Sequence, residues 1–100
     1  MTLPKKVKIG ALQISIRWVK DLNSHGQYKH NEAEILLDES IRENDAETLD
    51  TFLHECLHAM DYANKLDLGE DTVHRLAFML TAFLVDNNLV PERLAGGGKR

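Results

Sequence analysis

Cysteine occurs once, at Cys56, so no disulfide can close within the chain, a usage that suits a reducing compartment. Long apolar runs are missing as well. The longest, Leu76 to Val85, is interrupted by Thr81 and falls short of the ~20 apolar residues that a bilayer-crossing helix needs. Around Pro4 the lysines are not followed by an apolar signal core or a small-residue cleavage site, which predicts a soluble protein that stays in the cytoplasm where it is made.

Positive charge is scarce. Lys and Arg number 12 against 16 Asp and Glu, for a net charge of −4 and a pI near 5.7. The basic clusters, Lys5, Lys6, Lys8 and Lys99, Arg100, sit at the ends, so the chain offers no electrostatic footprint for nucleic acid and none is expected as a partner. Internal repeats and heptad runs are also lacking. With 43% hydrophobic residues over 100 positions, one domain spanning 1–100 with a modest core is expected.

What is present is the word His54-Glu55-Cys56-Leu57-His58, an H-E-x-x-H pattern. Shuffling five His and eight Glu through a chain of this length produces such a word about one time in sixty, so chance is a poor explanation. Its setting is helical. Asn44 with Glu47 reads as a capping pair, after which Leu49, Phe52, Leu53, Cys56, Leu57, Met60 and Ala63 recur at three- and four-residue steps. Two histidines four apart project from one side of such a helix, so their imidazoles can share a zinc ion, with Glu55 beside the open coordination position as general base. Cys56 falls on the apolar stripe and reads as a core residue rather than a ligand.

A catalytic zinc site normally takes three protein ligands, and a second helical pattern supplies two candidates for the third. Val73, Leu76, Ala77, Leu80, Phe83 and Leu84 form its apolar stripe. Glu70 and His74 lie one turn apart near its start, and packing that stripe on the first helix brings both towards the histidine pair. Spacing does not choose between two His plus Glu70 and three His including His74. Asp61, one turn beyond His58, is a candidate to accept a hydrogen bond from a ligating imidazole. His25, His30 and Tyr28 receive no role.

The run from Thr48 to Asn87, with HECLHAMDYANKLDLGEDTVHRLA at its centre, resembles the small zincin-like proteins of phages and prophages. These are related in pattern to the ImmA/IrrE-type and SprT-like metallopeptidases and to minimal gluzincins. Glu70, Val73, Leu76 and Ala77 match the second-helix element of that pattern, and the resemblance implies Glu70 as third ligand with His74 as the alternative. It also implies the cytoplasm of an infected host for a phage-encoded chain. The interval from His58 to Glu70 is short beside that of the large gluzincins, and Ala59-Met60-Asp61-Tyr62 lacks the glycine and third His of metzincins.

Upstream, Val7 and Ile9 alternate in one parity and Leu12, Ile14, Ile16 and Trp18 in the other, across Gly10-Ala11. This predicts a hairpin, then a polar loop from Asp21 to Gln27, then a strand pair around Tyr28–His30 and Ala33–Asp38. The expected fold is α+β, a small antiparallel or mixed sheet packed against two principal helices. A segment from about residue 95, rich in glycine, is expected to be flexible. If Glu34-Ile35-Leu36-Leu37 is a sheet edge beside the site, an extended peptide can pair with it.

The expected function is therefore zinc-dependent hydrolysis of peptide bonds in a peptide or protein substrate. His54, His58 and Glu70 hold Zn2+ and Glu55 activates the attacking water. A catalytically silent, metal-stabilised binding or regulatory protein on the same scaffold is the alternative.

Overall fold

The computed structural model of the chain describes residues 1–91 and 94, so the expected flexible segment from about residue 95 lies outside the described residues. Strand β1 (Lys6–Ile9) turns through Gly10-Ala11 into β2 (Leu12–Val19), pairing antiparallel in the register Ile9↔Leu12 and Val7↔Ile14. Gly10, at φ 61°, takes the left-handed conformation that so short a turn requires. β3 (Gly26–Lys29) and β4 (Glu34–Asp38) form a second antiparallel pair. β4 then inserts between β3 and β2, lying parallel to β2 with Ile16↔Ile35 and Trp18↔Leu37 side by side. The sheet order β1-β2-β4-β3 is thus mixed, and the architecture is α+β as expected.

This order overturns one expectation. β4 is an interior strand with partners on both sides, so it has no free edge for a peptide, and Ile35, Leu36 and Leu37 are all buried. An unbroken apolar run is what a strand covered on both faces needs, whereas edge strands carry polar breaks. The free edge beside β4 belongs to β3.

After a short 3-10 turn (Glu39–Ile41), α1 (Asp45–Asn64) begins at Asn44, whose side-chain oxygen accepts the Glu47 backbone N–H at 3.0 Å. α1 lies across the sheet. Phe52, Cys56 and Ala59 pack on Ile9, Ile14, Ile35 and Leu37 to form the core. The buried side of α1 is Thr48, Leu49, Thr51, Phe52, Glu55, Cys56 and Ala59, which is rotated from the anticipated stripe. Met60 and Ala63 are exposed instead. Polar Thr51 and Glu55 went unread as inward residues because apolar periodicity registers only apolar side chains.

α1 ends at Lys65 in the left-handed conformation, and five residues later α2 (Glu70–Asp86) begins. Asp61 accepts the Leu68 N–H on both carboxylate oxygens at 3.3 Å, tying the connection back onto α1. α2 buries Val73, Ala77 and Thr81 against α1. Leu76, Leu80 and Phe83, expected on its inner stripe, are exposed. No helix among the described residues is long and apolar enough to cross a membrane.

Candidate metal centre

His54 and His58, one turn apart on α1, direct their Nε2 atoms at each other, 3.2 Å apart. The short connection from α1 to α2 returns the chain to their level, and Glu70, the first residue of α2, completes the group. Its Oε2 lies 3.0 Å from His54 Nε2 and its Oε1 2.8 Å from His58 Nε2. Three donors bound at about 2.05 Å in a tetrahedral shell stand about 3.3 Å from one another. The two imidazole nitrogens stand close to that edge length and each has a Glu70 oxygen within 3.0 Å, so the three side chains are of the kind and spacing that could hold a small divalent cation.

His74 stands apart from this group. Its ring centroid is 6.1 Å from that of His54 and its side chain is exposed, so it faces the site without joining the donor cluster. The first residue of α2 reaches the histidine pair and the residue one turn further on does not. Asp61 also lines the cleft, but its hydrogen bonds go to Leu68 N–H rather than to an imidazole, which gives it a structural task in holding the α1–α2 connection.

Glu55 is only 7% exposed. Burial pushes its carboxyl up to about 7, with His58 and the Tyr28 backbone N–H opposing and the nearby Glu70 charge adding to the rise. A carboxyl so placed exchanges a proton near neutral pH, as general acid–base chemistry requires. His54 is pushed below its ordinary value, chiefly by burial, while Glu70 pulls the other way. Such an imidazole is neutral at physiological pH, the form that binds metals.

The histidines and Glu55 open into a cleft of about 690 Å³ between α1, the start of α2 and strand β3. Asp50, Glu55, Asp61 and Glu70 line it, and among the described residues neither Lys nor Arg does, so that lining favours a bound cation. On the β3 side sit features that went unassigned in the sequence. Gly26 passes so close to α1 that a Cβ there would lie 2.6 Å from Thr51 Cγ2 and 3.2 Å from Glu55 Cγ. Two residues on, in the same parity, the Tyr28 hydroxyl meets His30 Nδ1 at 2.8 Å, and the His30 ring stacks on Tyr62 at 3.6 Å between centroids. Burial and the neighbouring Tyr62 raise the Tyr28 phenol above its usual value, so it stays a protonated hydroxyl.

A two-residue parity shared by Gly26 and Tyr28 was the available signal for this wall. It went unread because the strand is short and polar. Cys56 is buried on the core side of α1, with burial and Glu55 pushing its thiol up to about 12, and it takes no part in the donor group. No family model, curated protein or solved structure matches the chain.

Proposed function

We propose that the protein is a zinc-dependent peptidase of the small zincin-like type. The observation that carries this reading is the convergence of His54, His58 and Glu70 beside a buried Glu55. These three side chains would hold the ion. Zinc bound there would supply Lewis-acid polarisation of a carbonyl oxygen and acidification of water.

The remaining work falls to this chain's own groups. Glu55 takes a proton from water as the oxygen adds to the scissile carbonyl carbon, and returns a proton to the amine nitrogen as the C–N bond breaks. Burial holds its carboxyl at about 7 without metal, and a cation beside it would draw it towards the charged form that accepts the proton. β3 is the sheet edge along the cleft, the place where an extended peptide or protein substrate would lie. The Tyr28 hydroxyl on the same wall is held by His30 Nδ1 at 2.8 Å. A cytoplasmic site of action belongs to the same proposal.

A second reading has its own observation in support. α2 packs chiefly on α1, so an ion bridging His54 and His58 to Glu70 would staple the outermost helix to the domain whether or not turnover follows. In that case the protein is a metal-stabilised binding module. Zinc titration by competition with a chromophoric chelator, followed by cleavage of an unbiased peptide library by wild type and Glu55→Gln, separates the readings. One equivalent of zinc in both proteins, with cleavage by wild type alone, is expected for the peptidase. Zinc without cleavage supports the binding module, and no zinc removes both.

A further inference from the structure

α2 carries more apolar side chain than α1 covers. Val73, Ala77 and Thr81 are buried against α1, but Leu76, Phe78, Met79, Leu80, Phe83 and Val85 are exposed, Phe78 at 63% and Met79 at 65%. A helix that is apolar on nearly every side normally lies inside a larger assembly. Five of the exposed side chains, all but Leu80, lie within about 90° of the helix's outer line and leave roughly 500 Å² open to water, a large patch for an ordinary monomer and a major part of the ~800 Å² that each partner contributes to a standard interface.

The outer line of the helix is also ordered. At 100° per residue, Arg75, Met79, Ala82 and Asp86 follow one another at steps of four, three and four, with Phe78 and Phe83 on either flank. This line complements itself about the midpoint between Leu80 and Thr81. When two copies of α2 are laid antiparallel across that point, Met79 meets Ala82 and Arg75 meets Asp86, each pairing occurring twice, while Phe78 faces Phe78 of the second copy along one flank and Phe83 faces Phe83 along the other. A large side chain thus faces a small one, and a cation faces an anion.

We infer that α2 is the interface of a two-fold homodimer in which the outer face of the helix packs antiparallel on the same face of a second copy. An isologous interface needs this relation, in which residue i of one copy contacts j of the other and j contacts i. Arg75 is engaged within its own helix with exposed Asp71 at 3.2 Å, so it stays at the surface and can be shared with Asp86 of the second copy. The metal centre is untouched, because Glu70 and His74 lie roughly 100° or more round the helix from the seam. A membrane surface fits less well, since the seam contains one Arg, no Lys and a terminal Asp, where interfacial helices carry a Lys/Arg-rich polar face.

Sedimentation velocity of the full chain from about 1 to 200 µM tests this. Wild type is expected to dimerise across the range, and Met79→Glu to remain monomeric with its helical circular dichroism unchanged. Asp86→Arg alone is expected to raise the dimer Kd about tenfold or more, and Arg75→Glu combined with Asp86→Arg to bring it back to within about threefold of wild type. The charge-reversal pair decides the matter even if Met79→Glu misfolds. Wild type that stays monomeric at the highest concentration overturns the inference. So does a dimer that the Asp86 substitution leaves unchanged or the double reversal fails to restore, and so does a monomer that binds phosphatidylserine vesicles through this face.

Discussion

A β-carbon on Gly26 would lie 2.6 Å from the Thr51 methyl, closer than carbon atoms pack, so strand β3 reaches the face of α1 that carries Thr51 and Glu55 only because residue 26 has no side chain. The same β-carbon would press on Glu55 at Cγ and Oε2. Gly26→Ala is expected to destabilise the fold by about 1–3 kcal/mol, the usual cost of overpacking. Removing the opposing methyl in a Gly26→Ala, Thr51→Ala double variant should recover a substantial part of that loss. Urea denaturation of the four proteins of the cycle gives the coupling directly. Additive losses would show that the contact does not limit the approach of β3 to α1.

Glu70 and His74 are one turn apart on α2, yet only Glu70 stands within 3.0 Å of both imidazoles' Nε2 atoms. Under the zinc reading, Glu70→Ala should weaken zinc binding by about 10- to 100-fold or more, while His74→Ala changes it by less than about threefold. Ligand linkage extends this to stability. Saturating zinc should raise the melting temperature of wild type and of His74→Ala, and a chelator should reverse the rise. The proposed ligand set is wrong if His74→Ala loses zinc and Glu70→Ala keeps it.

Much of this site was legible in the chain because the H-E-x-x-H spacing is itself a three-dimensional statement on a helix: His54 and His58 must share a side. Glu70 was harder, because its arrival depends on where a five-residue connection deposits the next helix, and periodicity gives helix faces but not the path between helices. The interior place of β4 was legible only in part. Its unbroken Ile35-Leu36-Leu37 run is the mark of a strand covered on both faces, but strand order follows from long-range pairing that no local pattern encodes. The exposed outer face of α2 escaped for a related reason. Apolar side chains on all sides mask the periodicity that separates inside from outside.

Cys56 sits in the core between α1 and the sheet, with burial pushing its thiol up to about 12. The thiolate is the reactive form, and it is scarce at such a value. Native protein at pH 7.5 is expected to resist iodoacetamide for hours, whereas protein in denaturant takes up one equivalent within minutes. Fast labelling of the native chain would mean that the face of α1 carrying Phe52, Cys56 and Ala59 opens locally, well below the free energy of global unfolding.

In the metal-free protein Glu55 should make stability fall as pH rises. Its folded-state value is about 7 against 4.5 for the free side chain, so between those values the folded chain holds a proton that the unfolded chain has released. The stabilising effect of that proton is complete below about pH 4.5 and is lost progressively up to about pH 7. The difference amounts to about 3 kcal/mol for a shift of this size. Glu55→Gln cannot ionise and should escape the loss, so chelator-treated wild type and variant are expected to diverge between about pH 4.5 and pH 7, the variant gaining in relative stability. Zinc opposes the trend, because a cation beside the carboxyl favours its charged form, and the pH dependence of wild type should flatten when the ion is restored. Urea denaturation at several pH values, with and without chelator, checks both signs. Parallel wild-type and Glu55→Gln curves in the metal-free series would mean that the Glu55 carboxyl reaches water in solution and does not hold its proton near neutrality.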